Sequence, residues 1–331
     1  MMRISLERMS AEFARVLLGL GFNEERALLL ASFFANNSLD GVYTHGLNRF
    51  PGFVQFVKDG VIDKDASPRL ENGFGALERW DGAAGPGILN ANWCMGRAIE
   101  LAKDIGIGCV ALRNTNHWMR GGTYGWQAAE AGCIGICFTN TRPLLPPWGG
   151  LDTRLGNNPL VIAVPRPEGH VVLDMAVSQY SYGKLLQHRE TNEPLAFPGG
   201  YDEKGRISSD LNTILATTRL LPIGLWKGSG LALMLDLLAT LLSQGQSTAE
   251  IAGREVETGV SQVFIAVKPQ SDPQLSQNMI RTILDYTASS EPTDPAQPVR
   301  YPGEGTLQTR RRNLAEGIPV IERIWEAVLA L

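Results

Sequence analysis

The segment GVYTHGLNRF (41–50) sets His45 and Arg49 four residues apart in a chain with only four histidines. An imidazole gives or takes a proton near neutral pH, and a guanidinium grips a carboxylate through a two-pronged hydrogen bond. Together they suit a 2-oxo or 2-hydroxy acid: one residue serves the oxygen's proton and the other holds the acid group. With Thr44 capping a third helix, the spacing predicts that both side chains stand one turn apart on one face. The start of that helix would add a field favourable to an anion. His-x3-Arg is also common on exposed helix faces, so spacing alone leaves a structural role equally open.

A second polar cluster, NTNHWMRGGTYG (114–125), carries Asn116, His117, Trp118 and Arg120 directly after the apolar run CVALR. Polar side chains at a strand end, followed by glycines and a helix, are where α/β scaffolds place their sites. The other two histidines read differently. His170 follows a PEG turn and His188 lies in KLLQHRET, so both side chains are expected to be solvated. Neither has cysteine or carboxylate neighbours at ligand spacing, and no metal site is expected. LPIGLWKGSGLALMLDLLA (221–239) sets Gly224, Gly228 and Gly230, with Lys227 and Ser229, ahead of an apolar helix. Free backbone N–H groups and a lysine there would favour phosphate. It is not a Walker A loop, and no G-x-G-x-x-G follows a strand as a Rossmann site requires. PGEG (302–305) is a second glycine-rich turn at a helix start.

Helices dominate the first third. SLERMSAEFARVLLGLG opens on Ser5 and closes on Gly21 with apolar positions at helical spacing, and Asn23 caps a second helix that ends near Gly41. From about residue 74 the texture changes to strands alternating with helices, which argues an α/β middle unit. GALERWDG, IGCVALRNT, IGICFTNT, PLVIAVPR, VVLDMAV and GVSQVFIAVKP are its strand candidates. The tail returns to helix. The expected division is a helical N-terminal unit over 1–73, an α/β unit over 74–290, and a C-terminal arm over 291–331 that packs back on the first unit.

Bulk properties narrow the function. The chain has 331 residues, 44% apolar and 19% charged, a globular composition long enough to bury a sizeable core. A net charge of -4 gives no reason to expect nucleic acid or an anionic membrane as partner. The first residues lack the uninterrupted apolar core of a signal peptide. The most apolar run, LALMLDLLATLL, contains Asp236 and is too short to cross a bilayer. Four cysteines (Cys94, Cys109, Cys133 and Cys137) are too few for a disulfide scaffold. A soluble, cytoplasmic protein is expected.

Taken in order, GVYTHGLNRF, NTNHWMRGGTYGWQAAEAG, GNNPLVIAVP, LDMAVSQYSYGK, WKGSGLALMLDLLATLL and YPGEG resemble the malate/L-lactate dehydrogenase family, which is unrelated to the classical Rossmann lactate dehydrogenases. The likeness runs over nearly the whole chain. It implies an α/β (α+β) fold: a non-Rossmann cofactor domain with a mixed sheet, plus a helical domain formed by both chain ends. It further implies a nicotinamide-dependent reductase that forms a homodimer with its active site near the subunit interface. NADH is the expected cofactor, with NADPH left open, and the expected substrate is a 2,3-dioxo sugar acid reduced at C2. Carried over by motif, His45 would donate the proton and Arg49 would meet the substrate carboxylate. His117 would be a second polar group, to which some relatives give the acid/base role.

By the same carry-over His170, Val171, Val172, Leu173, Asp174, Met175 and Ala176 match the family's cofactor strand, with His170 acting through its backbone. Trp226 and Lys227 match its WK step, and Gly303, Glu304 and Gly305 its C-terminal cofactor turn. One branch of the family often has histidine after that last Pro-Gly, where this chain reads Gly303-Glu304-Gly305. A backbone contact would survive the change and a side-chain contact would not. Sibling reactions stay open: reduction of another 2-oxo acid or a cyclic imino acid, or oxidation of ureidoglycolate. Contacts around 45–49, 116–120 and 140–148 would separate them. A non-catalytic sugar-acid binder is the rival of a different class.

Overall fold

The computed structural model describes residues 2–270 and 272–331. Two helices open the chain, α1 (Leu6–Gly19) and α2 (Glu24–Leu39). Each begins where the side chain of a short polar residue accepts a backbone N–H three positions on: Ser5 from Arg8 at 3.2 Å, and Asn23 from Arg26 at 2.8 Å. Then comes a departure. No continuous helix starts at Thr44; Tyr43–His45 and Leu47–Arg49 are separate 3-10 turns, and α3 (Phe50–Lys58) starts only after them. The cause is Gly46, packed so closely on α2 that a Cβ there would lie 2.1 Å from Ser38 Oγ. Ser38 Oγ in turn accepts the Leu47 N–H at 2.8 Å, a tertiary bond in place of a helical one. Pro51 sits in the first turn of α3, where its missing N–H costs nothing.

A seven-stranded sheet forms the centre. In chain order its strands are β1 (Arg69–Phe74), β2 (Leu77–Asp81), β3 (Ile107–Thr115), β4 (Ile134–Thr139), β5 (Leu160–Val164), β6 (Val171–Met175) and β7 (Val260–Val267). They lie in the order β1-β2-β3-β7-β4-β5-β6. Only β2 and β3 pair in parallel, through helix α4 (Gly87–Ile105); every other neighbouring pair is antiparallel. A classical dinucleotide fold is a mostly parallel sheet, so the non-Rossmann expectation agrees with this topology. Strand β1 escapes the sequence reading: it is polar, exposed along its length and at the sheet edge, with no alternation to mark it. The sheet thereby takes in residues ahead of position 74.

Alternation along the central strands distributes side chains to two layers. Val110, Leu112, Phe264 and Ala266 face α4 and α5 (Gly122–Glu130), which contribute Cys94, Met95, Ala98 and Ala128 to the same core. Ala111, Val263 and Phe138 face the other way, against Ala232, Leu235 and Ala239 of α6 (Trp226–Ser243). Cys94, Cys133 and Cys137 are buried, and all four cysteines are free. Past β7 come α7 (Pro273–Ala288), α8 (Glu304–Glu316) and α9 (Glu322–Leu329).

Both ends of the chain build the helical unit. Arg3–Ile4 pairs antiparallel with Ile318–Pro319, and Ile318, Trp325 and Val328 join the core of α1, α2 and α3. Its centre is an aromatic cluster in which Phe13 and Phe50 stack at 4.2 Å while Phe34 meets Phe50 edge-on at 5.1 Å. Offset and edge-on contacts of this kind add to the burial of the rings themselves. Among the described residues no helix is long and apolar enough to cross a membrane.

Candidate active site

His45 and His117 face each other across the junction of the helical unit and the sheet. Their rings are 5.6 Å apart, centroid to centroid, and nearly parallel at 15°. Each is placed by its own element. The His45 carbonyl accepts from Asn37 Nδ2 of α2 at 3.0 Å, and its Nδ1 lies 3.3 Å from the Thr44 hydroxyl. His117 follows the end of β3. Before it, buried Asn116 locks the loop by donating to Ala84 O at 2.7 Å and accepting from Thr258 Oγ1 at 2.9 Å. His117 Nδ1 accepts the Met119 N–H at 2.9 Å. That bond puts the neutral ring's proton on Nε2, the nitrogen left to meet a ligand.

Arg49 does not stand on a shared helix face with His45, contrary to the spacing argument. It is instead the residue immediately before α3, so it, and not His45, occupies the helix N-terminus. Arg49, His117, Glu257, Phe53 and Phe56 line one small cavity. About 10 Å³ is free there, the room of a single water, and Arg49 at its rim is exposed. The surroundings disfavour the charged imidazoles. Burial, then Arg49 and Arg120, bring His45 down to about 4. Burial, Arg49 and His45 hold His117 well below the usual histidine range.

A buried ion network ties this junction together. Arg120 is 5% exposed and pairs with Asp40 at the end of α2, which also binds Arg310 of α8 at 2.7 Å. On its other side the Arg120 Nε lies 3.9 Å from Asp174 Oδ2 of β6, which accepts the Gly122 N–H at 2.9 Å. Burial raises Asp174, while Arg120 and the Gly122 N–H act against that. Four segments distant in sequence thus meet behind His45. The sequence reading noticed Arg120 only as part of a polar cluster, and it missed Asp40 and Glu257 altogether. Asp40 looks like an ordinary helix-end acid and Glu257 lies in a featureless VETG loop, so neither carried a signal.

The three segments expected to hold a cofactor converge on β6. Pro302 O, just before Gly303, accepts the Val172 N–H at 2.9 Å. Ile223 N–H, shortly before Trp226, donates to Val177 O at 2.9 Å. Gly303 has φ +96, and a Cβ on it would come within 3.1 Å of Val172 N, so the turn presents bare backbone. Beside it lies a cavity of about 160 Å³ lined by Arg166, Asp285, Arg300, Tyr301 and Glu304. Two arginines, a tyrosine ring and two carboxylates thus meet beside the turn, polar groups of the kind that ribose and phosphate engage. His170 differs from the solvated turn residue expected: its Nδ1 accepts the Arg166 N–H at 3.0 Å and its ring is 5.5 Å from Trp126. His188 is likewise half-buried: its Nδ1 lies 3.2 Å from Glu193 O and its ring meets Tyr180 edge-on at 5.8 Å.

The glycine-rich stretch also departs from its reading. Helix α6 starts at Trp226, so Gly228 and Gly230 lie inside it and not ahead of it. Gly228 serves packing, since a Cβ would sit 2.2 Å from Ile223 O. Trp226 and Lys227 are exposed, just after Leu225, whose backbone is held at φ 62, a conformation that costs a non-glycine residue energy.

The candidate site therefore sets two imidazoles and an arginine beside a largely antiparallel sheet. Residues 4–329 match the family model described as malate/L-lactate dehydrogenase, and the chain belongs to that family. It is 44% identical to a 2,3-diketo-L-gulonate reductase of Escherichia coli and 45% identical to one of Pasteurella multocida, each time over the full length of both chains. Among solved structures it is similar to a malate dehydrogenase of Pyrococcus horikoshii, with a TM-score of 0.88 and 30% identity over 98% of this chain and 93% of that one. A nicotinamide cofactor goes with this family.

Proposed function

We propose that the chain reduces the C2 carbonyl of 2,3-diketo-L-gulonate with NADH, giving 3-dehydro-L-gulonate. The observation that carries this reading is the full-length identity of 44–45% to relatives of that name, in a chain that sets His45, His117 and Arg49 around one junction. The bound reduced nicotinamide supplies the hydride. Arg49 grips the substrate carboxylate and fixes its pose. His45 gives its proton to the developing alkoxide, and the His117 Nε2–H steadies the same oxygen. An arriving carboxylate also offsets the Arg49 charge that disfavours the protonated ring, so the substrate promotes loading of its own proton donor. The backbone of His170 to Ala176, Trp226, Lys227 and Gly303 to Gly305 forms the dinucleotide's bed.

NADH is favoured by Glu304 and Asp285 beside the Gly303 turn, because a carboxylate accepts ribose hydroxyls and repels a 2′-phosphate. Arg166, the nearby cation, is engaged by Glu168 at 3.1 Å and by the Tyr301 ring. Arg300 pulls the other way, so both cofactors belong in the test. Loss of reduced-nicotinamide absorbance, followed with NADH and NADPH against a panel of oxo acids, is expected to be fastest with NADH and 2,3-diketo-L-gulonate. A preference for a cyclic imino acid or a simple 2-oxo acid would replace the substrate assignment.

The proposal includes a cytoplasmic homodimer. Four unpaired cysteines suit a reducing compartment. On α6, Leu233, Met234, Leu237, Leu238 and Leu241 are each 41–71% exposed and lie on one stripe, an apolar face that a second copy would cover. Sedimentation velocity is expected to give twice the chain mass, and Leu237→Glu to shift it toward one. A wild-type monomer would end this part of the proposal.

A further inference from the structure

We propose that Glu257 reads the tail of the substrate: it admits oxo acids whose tail carries hydroxyl groups and turns away those with a second carboxylate. This rests on the reductase reading above and names the substrate class within it. Glu257 lines the same cavity as Arg49 and His117, yet the proton and hydride steps have no use for it. Its Oε2 is already committed, accepting the Arg142 N–H at 3.0 Å, which fixes the carboxyl group's direction. Its Oε1 has no protein partner among the described residues.

The other lining groups cannot do this work. Phe53, Phe56, Ile62 and Met119 are apolar. Asn116 is spent on Ala84 O, Gly85 O and Thr258 Oγ1, and His117 Nδ1 on the Met119 N–H. An acid with its carboxylate on Arg49 and its carbonyl at the histidines therefore turns its remaining carbons toward one free acceptor. A hydroxyl there donates a charge-assisted hydrogen bond. Burial raises the Glu257 carboxyl, while the Arg142 N–H, Arg49 and Arg142 act against that and favour its carboxylate form; a second carboxylate there competes with it for the same cations, with Arg49 already engaged. Pyruvate offers neither and leaves the acceptor to water.

The test compares wild type with Glu257→Gln on 2,3-diketo-L-gulonate, oxaloacetate and pyruvate. Glutamine keeps a carbonyl oxygen for the Arg142 N–H, so the loop is retained. Removing the charged acceptor should lower kcat/KM for the polyhydroxy acid roughly 10- to 100-fold, raise it for oxaloacetate, and leave pyruvate nearly unchanged. Equal movement of all three, or of none, would overturn the proposal, since a purely structural role does not sort substrates by their tails. A wild-type enzyme inactive on 2,3-diketo-L-gulonate would instead overturn the substrate reading, and the oxaloacetate-to-pyruvate ratio would still decide the role of Glu257.

Discussion

His45→Ala is expected to cut turnover of the oxo acid by about 10²- to 10⁴-fold, the usual contribution of a positioned acid, with NADH affinity unchanged. The affinity is preserved because the expected dinucleotide bed lies on β6 and the turns around it, while His45 stands on the helical unit. The same residue sets a pH signature. A donor must be protonated, and in the free enzyme burial, Arg49 and Arg120 bring His45 down to about 4. Above that value the protonated fraction falls tenfold per pH unit, so kcat/KM for reduction should fall likewise between about pH 5 and 7. The kcat profile should begin its fall at higher pH than kcat/KM, because the bound carboxylate offsets the Arg49 charge while burial, the larger cause, remains. A variant as fast as wild type, or a flat kcat/KM across that window, would move the donor role away from His45. Should His117→Ala alone produce the collapse, the second imidazole holds the proton.

Arg120→Met should be the most damaging single change to the scaffold. The Arg120 and Asp40 side chains are only 5% and 9% exposed. Removing one partner of a buried pair leaves an uncompensated charge and typically costs about 3–5 kcal/mol. Arg310 remains on Asp40, which places the loss near the lower end, read as a drop in the urea midpoint. Adding Asp40→Asn should restore part of that stability, because it removes one of the two carboxylates that faced Arg120, while Arg310 keeps Asn36 Oδ1 at 2.9 Å and Asp174 stays without its partner. Stability equal to wild type in Arg120→Met would show that Arg310 alone satisfies Asp40. Activity is a second readout, since the network joins α2, which holds the His45 backbone, to β6.

Much of the architecture was legible because local rules decide it. Ser5 and Asn23 cap helices, Gly106 ends one, and the β-branched runs at 107–115 and 260–267 form central strands. Local rules failed where a tertiary contact overrode them. GVYTHGLNRF has helical spacing, yet Gly46 is pressed onto Ser38 and breaks the helix into two short turns. RLENGF has no strand pattern, yet it finds a partner at the sheet edge. Glu257 and Asp40 carry ordinary acids in ordinary places, and only the fold brings them to Arg49 and Arg120.

By itself the sequence determined the inventory: two histidines and an arginine suited to acid chemistry, a cap-and-glycine grammar for the helices, and the apolar strands of an α/β unit. Backbone propensity and side-chain chemistry act over a few residues, and that range is readable along the chain. The meeting of residue 45 with 117, of 40 with 120, 174 and 310, and of 49 with 257 was decided by the tertiary structure alone. Those partners are brought together by burying α1–α3 against the chain's far end and by the order in which the strands pair, and neither is written at any one position.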